Sequence, residues 1–244
     1  MSASVSNRQF LMWSLALLML AGYGVYAAWQ WGLPWVAASV ARLVPVAWER
    51  EVGASVAASI APGAKPCLED LTRRLERALP QPNPYRFEVL CADRPEVNAL
   101  AAPGGSIVVF KGLLEATRSE DEIAAVLAHE MQHVLERHAT RAVFRAFALQ
   151  AVAGLLFGDA SGLMAQISGG LGALHYQRGD EDEADRKGVL LLKRSGLKPA
   201  AMPAMLESLE AATRGESAPP VWLSSHPDTR RRIAATRELA ERLD

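Results

Sequence analysis

Residues 129–133 read His-Glu-Met-Gln-His, within Glu120 to His138, a stretch with helical apolar spacing. Two histidines four apart on an α-helix lie on one face, because each residue advances about 100°. His129 and His133 can therefore hold one metal ion from one side. Glu130 falls at the edge of that face. Its carboxylate can reach a water on the metal without being a ligand, as a general base must. The helix has a start signal in Ser119-Glu120-Asp121-Glu122, a capping box with Ser119 as N-cap and Glu122 three positions on. Ile123, Val126, Leu127, Met131, Val134 and Leu135 then give it a face to bury. The histidine pair thus sits on a rigid element, as a metal site requires. The bare five-residue pattern is also compatible with a polar helix face that binds nothing.

A catalytic zinc site needs a third protein ligand and an open fourth position. In an extended HExxHxxGxxH pattern the glycine position is Glu136 and the third histidine position is Ala139, so that route fails. His138 lies five residues after His133, roughly 140° around a continuous helix, which reads as a surface or capping position. The other route is a glutamate from a later helix. In Glu181-Asp182-Glu183-Ala184-Asp185-Arg186, Glu181 and Asp185 share a face, while Glu183 points largely away. Glu181 can complete the site, and Asp185 can accept from the outer nitrogen of a ligand histidine. An ordinary solvated acidic run remains the alternative at this stage.

Four elements in order resemble the HExxH/ExxxD zinc metallopeptidases that include the CAAX prenyl protease, HtpX and BepA. They are Val97-Asn98-Ala99-Leu100-Ala101-Ala102-Pro103-Gly104-Gly105 with Ile107 to Phe110 after it, the HExxH helix with Arg137-His138, Glu181-x-x-x-Asp185, and Ser225-His226-Pro227 with Arg232-Ile233 downstream. The resemblance covers roughly residues 68–240. It implies that Glu181, rather than Glu183, is the third ligand. It also implies peptidase action on membrane or envelope proteins, in keeping with protein quality control. Several membrane spans found in the prenyl protease and HtpX are missing, so prenylated substrates are not implied. The resemblance further places His226 near the active site without fixing its role; a neutral imidazole there could be a fourth ligand that keeps the enzyme latent or an oxyanion stabiliser, and a helix-start histidine packed on the domain is the plainer reading.

Net charge is −1 over 244 residues, which gives no sign of nucleic-acid binding. Arg230-Arg231-Arg232 reads as part of a solvated last helix. Phe10 to Trp29 carries no charge and is long enough to cross a bilayer core of about 30 Å. Trp13, Trp29, Trp31 and Trp35 lie near its ends, as interfacial aromatics do. An uncleaved signal anchor is expected, single-pass, contacting membrane lipid and carrying the catalytic domain on the extracytoplasmic (periplasmic) side; a cleaved signal peptide is the alternative. Cys67 and Cys91 are the only cysteines, and a disulfide between them would suit an oxidising compartment, two buried thiols being the alternative.

These readings predict an α+β fold, a mainly helical zincin-like metallopeptidase domain with a small antiparallel-type sheet. Residues 1–32 form the membrane anchor, 33–66 a juxtamembrane helical segment and linker, and 67–244 the metallopeptidase domain. Leu68 to Leu79 and Asp228 to Leu243 are helices, while Tyr85 to Leu90, Glu96 to Ala101 and Ser106 to Phe110 are strands. Ala142 to Phe157 and Gly154 to Leu174 form an apolar, Gly-rich stretch, either a core helix pair or else a membrane-facing surface or a mobile lid. Gly105, Ser106, Ile107, Val108 and Val109 read as an edge strand that pairs with an extended protein or peptide substrate; a hairpin turn is the alternative for Pro103-Gly104-Gly105. One Zn2+ per chain, held by His129, His133 and Glu181, would activate water for Glu130 to deprotonate. A membrane-anchored chaperone-like or binding protein with a structural zinc is the competing function, and an envelope interaction module without metal a third. The sequence leaves the oligomeric state unknown.

Overall fold

The computed structural model describes residues 7–145, 177–212, 222, 226 and 229–243. The expectations for Gly154 to Leu174 and for most of Ala142 to Phe157 lie outside these residues. Helix α1, Asn7–Ala27, carries the uncharged run and ends in a π-helical turn, Ala28–Gly32. It continues into α2, Leu33–Ala41, and after a short corner into α3, Val46–Ile60. A 20-residue segment of α1, Arg8–Ala27, is long and apolar enough to cross a membrane, and none of it is buried.

The sheet comprises β1, Lys65–Pro66; β2, Glu88–Ala92; β3, Ala99–Ala101; and β4, Ser106–Phe110. Helix α4, Glu69–Arg77, connects β1 to β2. The strand order is β1-β2-β4-β3. β2 and β4 run parallel, while β1 and β3 are antiparallel to their neighbours, so the sheet is mixed and the antiparallel-type expectation is corrected. Residues 65 and 66, expected in a linker, add the first strand, and a disulfide joins Cys67 to Cys91 on β2.

The edge-strand expectation for Gly105, Ser106, Ile107, Val108 and Val109 is overturned. β4 lies inside the sheet, with β2 on one side and β3 on the other. Its main-chain groups are therefore committed to the ladder. Local pattern cannot reveal strand order; the edge on this side is β3.

After α5, Lys111–Ala116, the central helix α6 runs from Glu120 to Leu135. Ser119 caps it by accepting from the Glu122 N–H at 3.2 Å, an interaction worth about 1 kcal/mol. The reciprocal half of the box is displaced by one residue, with Glu122 Oε2 accepting from the Arg118 N–H at 3.0 Å. Every residue from Ala124 to Val134 is buried, so α6 is the core of the domain. Helices α7, Arg178–Arg194, and α8, Ala201–Ala212, pack on it, and α9, Thr229–Glu241, packs on those two. Leu127, Met131, Leu192, Met202, Met205 and Leu206 fill the space between them.

The segment before the sheet is fastened to this core. A Cβ on Gly53 of α3 would lie 1.8 Å from the Pro103 carbonyl oxygen, so the helix crosses the Pro103–Gly105 turn at backbone contact. Gly104 adopts φ 80°, which glycine takes without cost. Buried Glu49 accepts from Tyr85 Oη at 2.9 Å and from Thr140 Oγ1 at 2.6 Å. Arg137 donates to the carbonyls of Ala41 and Val44. Residues 33–66 thus pack on the same body as the metal-site helix.

Candidate metal centre

Helix α6 presents His129 and His133 with their Nε2 atoms 2.9 Å apart. Helix α7 crosses them with Glu181, whose Oε1 is 3.3 Å from His133 Nε2 and whose Oε2 is 3.6 Å from His129 Nε2. Where α7 passes α6, a Cβ on Gly188 would lie 3.5 Å from the His129 backbone nitrogen and 2.6 Å from Met202 Cε of α8. His226 supplies the fourth corner, with Nδ1 2.9 Å from Glu181 Oε2 and 3.4 Å from His129 Nε2. All four side chains are buried.

These atoms fit a tetrahedral ion. Zinc–nitrogen bonds of about 2.0–2.1 Å imply ligand–ligand edges of roughly 3.3 Å. The distances given above run from 2.9 to 3.6 Å, and one ligand atom from each of the four residues lies within 4.8 Å of every other. The donor chemistry agrees. His129 Nδ1 faces Asp185 Oδ1 at 2.9 Å, which favours a proton on Nδ1 and leaves the Nε2 lone pair directed at the centre. Lone pairs and a carboxylate converging in a buried space need a cation.

Around this set the charges are ordered. Arg232 forms a bidentate pair with Asp185 at 2.6 and 2.8 Å, and its Nη1 lies 2.7 Å from Glu181 Oε2. Burial opposes ionisation of Asp185, but the Arg232 guanidinium outweighs it and holds the carboxyl below its usual range. Burial likewise opposes the charge on Glu181, and His226 with Arg232 overcome it. Desolvation holds His133 well below the usual imidazole range, so it is neutral, the form that ligates. Glu130 is fully buried, with no hydrogen-bond partner on either carboxylate oxygen among the described residues, and burial raises its pKa. Its Oε1 is 3.8 Å from His226 Nε2.

The structure brings together His129, His133, Glu181, Asp185 and His226, with Glu130 beside them. It does not bring in Ser106 to Val109. Arg232 corrects the solvated reading of the arginine run: it is 1% exposed, whereas Arg231 lies outside and pairs with Asp182. His138 is also fully buried instead of superficial. Trp222 was given no role by the sequence, yet it is buried and stacks on His226, with ring centroids 4.6 Å apart and planes 23° apart. Its only sequence signal is its place four residues before that histidine.

Residues 63–240 match peptidase family M48. The chain belongs to this family. The beta-barrel assembly-enhancing protease of Escherichia coli strain K12 is 36% identical over 173 residues, covering 66% of this chain and 35% of that protein. The mitochondrial metalloendopeptidase OMA1 of Schizosaccharomyces pombe is 31% identical over 156 residues, covering 63% of this chain and 46% of that protein. The chain therefore spans about a third to just under half the length of these relatives. Family and relatives support metalloendopeptidase activity, and the resemblance drawn from the four motifs holds.

Proposed function

We propose that the chain is a membrane-anchored zinc metalloendopeptidase that cleaves envelope or membrane proteins. The observation that carries this is Glu130, a buried carboxylate without hydrogen-bond partners among the described residues, beside a His-His-Glu ligand set. Zinc held by His129, His133 and Glu181 would supply Lewis acidity and an activated water. Glu130 then takes a proton from the attacking water and returns it to the leaving amine. Asp185 and Arg232 keep the ligands oriented. The anchor is α1, and the disulfide suits an extracytoplasmic, oxidising side. Purified protein should carry one zinc per chain and hydrolyse casein; chelation should abolish the activity and added zinc restore it. Casein hydrolysis that survives full metal removal would refute the mechanism.

A second reading has one observation in its favour. His226 fills the fourth corner, as in a closed structural site. We read it as a plug. His226→Ala should then raise basal casein hydrolysis several-fold with zinc retained. Loss of zinc without any gain would favour a structural metal, and a lower kcat would favour an oxyanion role.

Substrate pairing moves to β3. Phe110 N–H donates to the Asn98 carbonyl and Ala102 N–H to the Ser106 carbonyl, so the main-chain groups of Ala99 and Ala101 point away from β4. An extended peptide can add there as a further strand. Ala101→Pro deletes one outward donor and spares the ladder. It should raise KM about tenfold with zinc content and kcat little changed; an unchanged KM would remove β3 from binding.

A further inference from the structure

Each histidine ligand of a metal needs a partner on its outer nitrogen. His129 has the Asp185 carboxylate there, at 2.9 Å. On His133 the same place is taken by a second imidazole: His138 Nδ1 lies 2.8 Å from His133 Nδ1. We infer that His138 is the positioning residue for the second ligand, and that Glu183 anchors it in turn.

The geometry depends on a break in the helix. On a continuous helix His138 would face about 140° away from His133. Helix α6 instead ends at Leu135, and Arg137 adopts φ 56°, in the left-handed region. Its guanidinium is held by the Ala41 and Val44 carbonyls. A new helical run starts at residue 138, which returns His138 beneath the ligand face, fully buried. On its far side, His138 Nε2 is 3.3 Å from Glu183 Oε2 and 3.7 Å from Asp180 Oδ1. Glu183 is fixed by Lys187 at 2.8 Å, and Asp180 by Arg145 at 3.0 Å.

The proton count has one solution when His133 ligates through Nε2. Its Nδ1 then carries a hydrogen and donates to His138 Nδ1, which must be bare. The hydrogen of neutral His138 consequently sits on Nε2, facing the Glu183 carboxylate. Two neutral imidazoles in series thus connect the metal to Glu183, where His129 uses one carboxylate directly. The arrangement fixes the ring plane of His133 and raises its basicity as a ligand. Neither His138 nor Glu183 touches substrate.

This inference rests on the zinc reading, and one set of experiments separates the two. In zinc-loaded full-length protein in detergent, ring-nitrogen NMR should show His138 protonated on Nε2 and bare on Nδ1, and His133 protonated on Nδ1. His138→Phe should speed zinc release to a chelator about 10–100-fold. His138→Asn, which keeps an acceptor near the Nδ1 position, should recover most of the loss. A zinc-bound wild type with His138 protonated on Nδ1 would overturn the relay alone, as would a wild-type release rate in His138→Phe. Wild type that binds no zinc would overturn both readings. The NMR result stands on the wild type even where a variant fails to fold.

Discussion

Glu130→Gln is expected to keep its zinc and lose peptide hydrolysis by a factor of about 10²–10⁴, the usual scale for a positioned general base. Glutamine has nearly the same shape, so the ligand helix need not move. The substitution also removes a charge from a fully buried place, where desolvation already pushes the Glu130 carboxyl up. The fold should therefore lose nothing and can gain. What disappears is a carboxylate that can accept a proton from water and is not itself needed as a ligand. A kcat on a casein-derived peptide, measured with zinc per chain in the same sample, decides the matter. Turnover within about threefold of wild type at full zinc would assign the base elsewhere.

The candidate metal ligands were legible in part because their geometry is local. Four residues make one helical turn, so His129 and His133 share a face, as do Glu181 and Asp185, while the choice of Glu181 as a ligand came from the family resemblance. Ser119 was legible for the same local reason, whereas two cysteines alone left a disulfide and free thiols both open, and the structure joins them. His138 escapes the spacing rule of a continuous helix because the left-handed Arg137 resets the phase. Arg232 was misread because a charge run normally points to water; here it is drawn inward by Asp185 and Glu181 on another helix. The place of β4 was misread because strand order is a tertiary property. Each miss involves a partner distant in sequence or a backbone turn that no residue pattern announced.

Glu181→Ala should strip the zinc, while Glu183→Ala should only weaken it. The two carboxylates are two residues apart on α7, about 200° around the helix, and so serve different faces. Glu181 closes on both histidine Nε2 atoms, at 3.3 and 3.6 Å. Its loss does more than delete a ligand. Arg232 Nη1 lies 2.7 Å from Glu181 Oε2, so alanine leaves a buried guanidinium facing the metal position with part of its counter-charge gone. That cation repels another, and occupancy should fall beyond the roughly 10–100-fold seen when an outer partner is removed. Glu183 acts through His138 and should stay within that range, as should Asp185→Asn, which alters the partner of His129. Competition against a chromophoric chelator, with folding checked by circular dichroism, ranks the three variants. Equal zinc loss at positions 181 and 183 would show that the wrong carboxylate has been placed on the metal.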